Sequence, residues 1–188
     1  KAASRFLFVA LCALVFPGAD RCYGGFVQSP AVAVIVDDLG FSLDAAKRLA
    51  SIPIPATWAI IPYQRFSQAT ARMAGDLGIP FLVHMPMEAK GSPGDRKALV
   101  RAGMDPEAVR VAVRNALWSL PGAAGLNNHQ GSRATEDPRA MGGVMLELKA
   151  EGLFFVDSRT SGGSVAYHVA VETGLPATSN RFFLDHYD

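Results

Sequence analysis

The stretch Ala31-Val-Ala-Val-Ile-Val-Asp-Asp-Leu-Gly40 constrains this chain more than any other. Apolar residues, mostly β-branched, run without polar alternation into two adjacent carboxylates and a glycine. A run of that kind reads as a strand buried on both faces. Strands buried on both faces belong to parallel sheets covered by helices. In such folds ligands bind at the carboxyl edge of the strands. Asp37 and Asp38 are delivered to that edge.

Downstream, strand and helix patterns alternate. Ser42 caps a helix through Ser51, ended by Pro53 and Pro55, and Ala56–Ile61 is the second strand. Ser67 caps a helix to Leu77, closed by Gly78, and Ile79–His84 is the third strand. Met85–Met104 reads as a loop over the strand ends. Asp105-Pro106-Glu107 opens a helix to about Leu120, with Val109, Val113, Ala116, Leu117 and Leu120 as its apolar stripe. Ala123–Asn127 is a fourth strand, ending in Asn128-His129. Asp137-Pro138 opens a helix to Ala150, and Leu153–Val156 is a fifth strand ending in Asp157-Ser158-Arg159-Thr160. A helix over Ser164–Glu172 and two short strands, Pro176–Ser179 and Phe182–Leu184, complete the pattern. Trp58 and Trp118 fall on a strand and a helix and read as core. The alternation implies an α/β fold of parallel strands with right-handed crossovers. Spacing does not choose between a barrel and a doubly wound sheet. With 188 residues the chain is shorter than the roughly 250 of a full (β/α)8 barrel, so a barrel is expected to be incomplete at the C-terminus.

The first 24 residues are different material. A basic start, Lys1 and Arg5, precedes the apolar run Phe6–Phe16 and then Pro17-Gly18-Ala19, the pattern of a secretory signal. The run is shorter than the roughly 20 apolar residues of a membrane span. The expectation is a signal segment over 1–24, a domain over 31–188, a secreted or periplasmic location, and no stable membrane span after cleavage. The two cysteines, Cys12 and Cys22, fall in that segment, so no disulfide framework is expected. Eighteen basic against 17 acidic residues, with no basic run, exclude a nucleic-acid footprint.

Parallel strands bring their carboxyl ends to one edge. That edge collects Asp37 and Asp38, then His84, then Asn127, Asn128 and His129, then Asp157 and Arg159. Two imidazoles and a carboxylate form a catalytic metal set with one position open for water. Zinc is the first choice for nitrogen and oxygen donors, although iron, cobalt or nickel also fit. A second carboxylate can accept the proton of the water. Neighbouring residues point to opposite faces of an ideal strand. Asp37 and Asp38 can share this work only where the chain turns. Each part has a plainer reading: paired Asp can cap a turn, Asn127 and Asn128 are ordinary turn formers, and Asp157 with Arg159 can be a structural ion pair. Glu88 is either a solvated loop residue or a partner beside the metal.

Val36-Asp-Asp-Leu-Gly40, His84-Met-Pro-Met-Glu88, Gly125-Leu-Asn-Asn-His-Gln-Gly-Ser132 and Phe155-Val-Asp-Ser-Arg-Thr160, in that order, resemble the motifs of the divergent polysaccharide deacetylases, relatives of the NodB-like carbohydrate esterases. The resemblance spans about Ala31–Asp188. It implies a distorted (β/α) barrel, a divalent metal, and hydrolysis of N-acetyl groups on a polysaccharide substrate. Carried over, Asp37 becomes the general base, Asp38 and His84 metal ligands, and His129 the third ligand. Glu88, Asn128, Asp157 and Arg159 fall to substrate or second-layer contacts. NodB-like enzymes take both histidines from one His-x-x-x-His turn, whose second position is Glu88 here. Two other classes compete: a non-catalytic glycan- or envelope-partner-binding protein on the same fold, and an unrelated metal hydrolase such as a phosphoesterase.

Overall fold

The computed structural model describes residues 6–9, 32–91 and 99–185. Strand β1 (Phe6–Val9) pairs antiparallel with β2 (Ala33–Leu39). From β2 onward, strand and helix alternate: α1 (Leu43–Ala50), β3 (Thr57–Ile60), α2 (Ser67–Asp76), β4 (Phe81–Met87), α3 (Pro106–Ser119), β5 (Gly125–Gln130), α4 (Pro138–Ala150), β6 (Phe154–Asp157), α5 (Ala166–Thr173), β7 (Ala177–Ser179) and β8 (Phe182–Phe183). Strands β2 to β7 are six parallel strands laid down in sequence order, the curled half-barrel expected of this α/β pattern. Apart from Phe6–Val9, the segment read as a signal lies outside the described residues, as do His186 and residues 92–98 of the expected loop. No helix of the described residues is long and apolar enough to cross a membrane.

The helices begin where their caps are. Ser42 accepts from the Ala45 N–H, and Asp105 and Asp137 each cap a helix whose first residue is proline. Gly174 ends α5 at φ +71°. The cap expected at Ser67 is different. Phe66 holds that position, while the Ser67 hydroxyl donates to the Ile61 carbonyl and accepts from the Gln64 N–H. Ser67 thus ties the β3–α2 loop to the end of its strand.

The last strand also departs from expectation. β8 does not extend the parallel set; it pairs antiparallel with β1 at the other end of the sheet. Only Asn180 and Arg181 separate β7 from β8. A parallel crossover needs a dozen or more residues. Three peptide steps reach at most about 11 Å, so the first and last strands of the sheet lie side by side and the sheet is rolled.

Alternation along the strands gives the rolled sheet two unlike faces. Trp58, Ile60, Val83, Met85, Leu126 and Phe155 join the large core under the helices, with Val109, Val113, Met141 and Leu148 from α3 and α4. Their neighbours Ile35, Ala59, Leu82 and Val156 form a second, small cluster on the inner face. The predicted stripe of α3 is buried throughout. Trp118 follows Leu117 by one residue, about 100° around the helix, and is 68% exposed rather than core. Glu147 of α4 is buried and takes Arg110 and Arg114 of α3, at 3.0 and 2.6 Å, which locks the two helices together.

Gly40, after β2, sits at φ +115°, and an added Cβ would lie 2.9 Å from Ser67 Oγ and 3.1 Å from the Ile61 carbonyl. Gly40→Ala is expected to lower stability by about 1–3 kcal/mol, because strain and a backbone clash add. Urea unfolding of both chains checks this, and an unchanged midpoint would contradict it.

Candidate metal centre

Counting by twos along the inner face leads from the apolar floor to the polar edge. Ile35 is followed by Asp37, Leu82 by His84, and on β5 Asn127 by His129. Asp38 should point the other way. It is turned inward by a left-handed backbone, φ +63°, and by a shift of the β2–β3 register between Val36 and Leu39. Both carboxylates therefore face the cluster. Gln130 and Arg159, at the ends of β5 and β6, are also left-handed, at φ +55° and +50°. Non-glycine residues in this region cost of order 1–3 kcal/mol each and gather at functional sites.

Three ligand atoms converge. Asp38 Oδ1 lies 2.9 Å from His129 Nδ1 and 3.3 Å from His84 Nε2. The two imidazole nitrogens are 3.2 Å apart. Asp38 Oδ1 is buried and makes no hydrogen bond of acceptable geometry. The two imidazoles are its charge partners, and a buried carboxylate oxygen without a well-formed hydrogen bond is costly unless a cation satisfies it. A divalent cation bound by Asp38, His84 and His129 would do so, and one nitrogen or oxygen atom from each suits zinc.

Behind the ligands, Asn127 orders the rest. His84 Nδ1–H donates to Asn127 Oδ1 at 2.9 Å, so that Nε2, once it gives up its proton, faces Asp38 and His129 as a ligand. The Asn127 amide donates at 2.9 Å to Asp37 Oδ1, which lies 3.7 Å from His84 Nδ1. Asn127 is fully buried. Of the two asparagines at this strand end, the resemblance points to Asn128 as a substrate or second-layer contact, whereas Asn127 is the one that reaches the cluster. Stepping back by two from His129 would have found Asn127.

Burial and charge set the protonation. Burial raises the Asp37 carboxyl above its ordinary value, against the pull of His84 and Asn127. Burial also acts to raise Asp38, but its contacts with His129 and His84 outweigh it and hold this carboxyl far below the usual range. For His84, burial alone would lower the pKa. The charges of Asp37 and Asp38, with the contacts to Asp38 and Asn127, carry it upward instead.

The remaining candidates lie outside the cluster. Asn128 is on the other face of β5; its Oδ1 accepts the Ser158 N–H at 2.8 Å and its amide donates to the Gln130 carbonyl at 2.7 Å, fixing the β6 loop. Glu88 is buried, with Oε2 accepting the Ala102 N–H at 3.0 Å and Oε1 3.7 Å from Arg133. Its bonds hold loops together. Asp157 shares the parity of Phe155 and turns toward the helices. It accepts the Arg159 N–H and the Ser164 hydroxyl, each at 2.8 Å, so it is paired with the backbone of Arg159 and not with its guanidinium. Arg159 is exposed.

A curled parallel sheet with an acid and two imidazoles at its carboxyl edge defines a NodB-like architecture. The chain belongs to the divergent polysaccharide deacetylase family, which it matches over residues 34–188. It is 35% identical over 172 residues to an uncharacterized protein of Haemophilus influenzae, covering 92% of this chain and 61% of that one. It is 29% identical over 178 residues to the uncharacterized protein YibQ of Escherichia coli, covering 95% and 53%. A crystal structure of an uncharacterized Agrobacterium tumefaciens protein has the same fold, with a TM-score of 0.71 at 22% identity, over 77% of this chain and 60% of that one. The chain thus spans about half to three-fifths of these relatives.

Asn127→Ala should weaken zinc binding about 10–100-fold while the chain stays folded. Chelator competition measures this, and unchanged affinity would remove Asn127 from the support of His84. The pH dependence follows from the shifts. In the metal-free chain, protonated His84 contributes stability below its ordinary 6.5, lost as pH rises through the raised folded value. Ionised Asp38 contributes above its ordinary 3.8, lost as pH falls toward the lowered one. A cation competes with the His84 proton. The melting shift produced by zinc should therefore grow as pH rises through the raised His84 value, with proton release on binding. Thermal scans with and without zinc from about pH 5 to about 9 test it; a pH-independent shift would contradict it.

Proposed function

We propose that this domain is a metal-dependent hydrolase that removes N-acetyl groups from a cell-envelope or extracellular polysaccharide, with zinc as the metal. The observation that carries the proposal is the meeting of Asp38 Oδ1, His84 Nε2 and His129 Nδ1, from three strands, with the carboxylate oxygen otherwise unsatisfied. Family membership supplies the reaction class. The leader-like residues 1–24 support a secreted or periplasmic site of action.

Asp38, His84 and His129 would hold the cation, which when bound acidifies a water and polarises an amide carbonyl. Asp37 accepts the proton at its carboxylate. Its raised pKa suits that task, since a general base works best with a pKa nearer the working pH. Asn127 holds that carboxylate and the His84 ring in one frame. The small floor of Ile35, Ala59, Leu82 and Val156 keeps water from reaching the cluster from below.

A second reading, a glycan-binding protein without turnover, is favoured by one feature. Asp37 approaches His84 at Nδ1, whereas Asp38 and His129 meet Nε2. Two variants separate the readings. His84→Ala should abolish zinc binding and acetate release together. Asp37→Asn should retain zinc and lower acetate release from N-acetylated glycans at least about 100-fold. Zinc content by elemental analysis and an acetate assay on the full-length protein are the measurements. Full turnover in Asp37→Asn excludes it as the base, and no turnover in the unmodified protein on any acetylated glycan favours the binding reading.

A further inference from the structure

A cavity of about 390 Å³ opens at the ends of β6 and β7, with Arg159, Ser161, Ser179, Asn180 and Arg181 as its polar lining and Phe182 and Phe183 of β8 as its apolar side. That volume lies within the range of small-ligand sites. The register places it at the same carboxyl edge of the sheet as the metal centre. Asn127 of β5 pairs with Val156 of β6, and Asp157 of β6 with Ser179 of β7. β7 is therefore two strand spacings, about 10 Å, from the strand that carries His129.

Among the described residues no carboxylate pairs with the arginines of this groove, and Glu136, which accepts from Ser161, is itself paired with Lys90. Asp157, the acid nearest in sequence to Arg159, spends both oxygens on the Arg159 N–H and the Ser164 hydroxyl. Neither Arg159 nor Arg181 is in any of the ion pairs found among the described residues. The backbone around them is fixed. Ser158 is held by Asn128, and buried Asn180 reaches the Ser158 carbonyl at 3.5 Å and accepts the Phe182 N–H at 3.2 Å. The Thr160 hydroxyl donates to the Gln130 carbonyl at 2.6 Å and anchors the Arg159 turn to β5. Both arginines line one groove, and the planar forks of guanidinium groups match carboxylate and phosphate oxygens.

We propose that this groove binds an anionic substituent, a carboxylate or a phosphate, on a sugar next to the one that carries the acetamide. The proposal rests on the glycan reading above and narrows it to acidic glycans. A neutral chitin-like chain would leave both arginines unused.

Calorimetry on the full-length protein tests this with hyaluronan tetrasaccharide, which alternates N-acetylglucosamine and glucuronate, against neutral chitotetraose. The His84→Ala protein is titrated in parallel, so that binding is read without turnover. The acidic tetrasaccharide should bind at least about tenfold more tightly at low salt. The preference should shrink between about 0.05 and about 0.5 M salt. In the Arg159→Gln/Arg181→Gln double variant it should fall to near unity. Both side chains are exposed, and a thermal melt verifies the fold. Displacement of the acidic tetrasaccharide by inorganic phosphate shows that the groove takes phosphate as well as carboxylate; a preference that phosphate leaves intact confines it to the carboxylate. Equal affinity for the two oligosaccharides, or a preference that survives the double substitution, overturns the proposal. Lack of acetate release with the preference intact counts against the hydrolase alone.

Discussion

The site depends on one backbone dihedral. A buried strand cannot place two consecutive side chains on one face. Asp38 at φ +63° breaks that rule at the last position where it can be broken, and the register shift absorbs the extra length. Gly40 then lets the chain leave under Ser67 and Ile61 without collision. Asp-Asp-x-Gly is therefore a single mechanical device. The first Asp keeps the parity of the strand, the second reverses it, and the glycine permits the exit.

The reversal places charge where burial is unfavourable. Asp37 and His84 are each 3% exposed, and Asp38 Oδ1 is fully covered. Such a group of acids and imidazoles survives only with fixed partners or a cation, because isolated buried charge costs several kcal/mol. Asn127 supplies part of this by donating to one acid and accepting from the imidazole between the two. It cannot satisfy Asp38. The arrangement is thus complete on the Asp37 side of His84 and incomplete on the Asp38 side, and the incompleteness marks where a cation fits.

Much of the fold was legible because its elements carry local signals. The uniform apolar run of β2, the Asp-Pro starts of α3 and α4, and the spacing of the α3 stripe each have one physical reading. The site was legible as an edge but not as a face. Listing the strand-end residues together captured Asp37, Asp38, His84 and His129, and with them Asn128 and Asp157, whose parity turns them to other duties. Strand period, applied from His129, separates Asn127 from Asn128. No comparable rule reveals that Asp38 violates its own parity, since a positive φ at a non-glycine residue depends on tertiary context. Ser67 was misplaced for a similar reason. Its hydroxyl had two possible employers, a helix start and a loop carbonyl, and only the folded loop decides between them. The antiparallel course of β8 rests on pairing with Phe6–Val9, in a segment whose sequence pattern points to export.

The supply of the two histidines by two strands follows from the same geometry. A His-x-x-x-His turn would take its second ligand from position 88, four residues beyond His84. Here β4 continues as regular strand through Met87, and Glu88 is drawn into the loops by Ala102 and Arg133. A strand residue four positions on would lie about 13 Å from the first, beyond reach of one ion. The adjacent strand solves the problem laterally. His129 pairs beside Pro86, on the same face as His84 and one strand spacing away. Its Nδ1 meets His84 Nε2 at 3.2 Å with the rings 74° apart, so the two lone pairs come to one point from different directions. Extending β4 would cost the site a ligand if β5 did not return one, and that couples the length of one strand to the identity of a residue on the next.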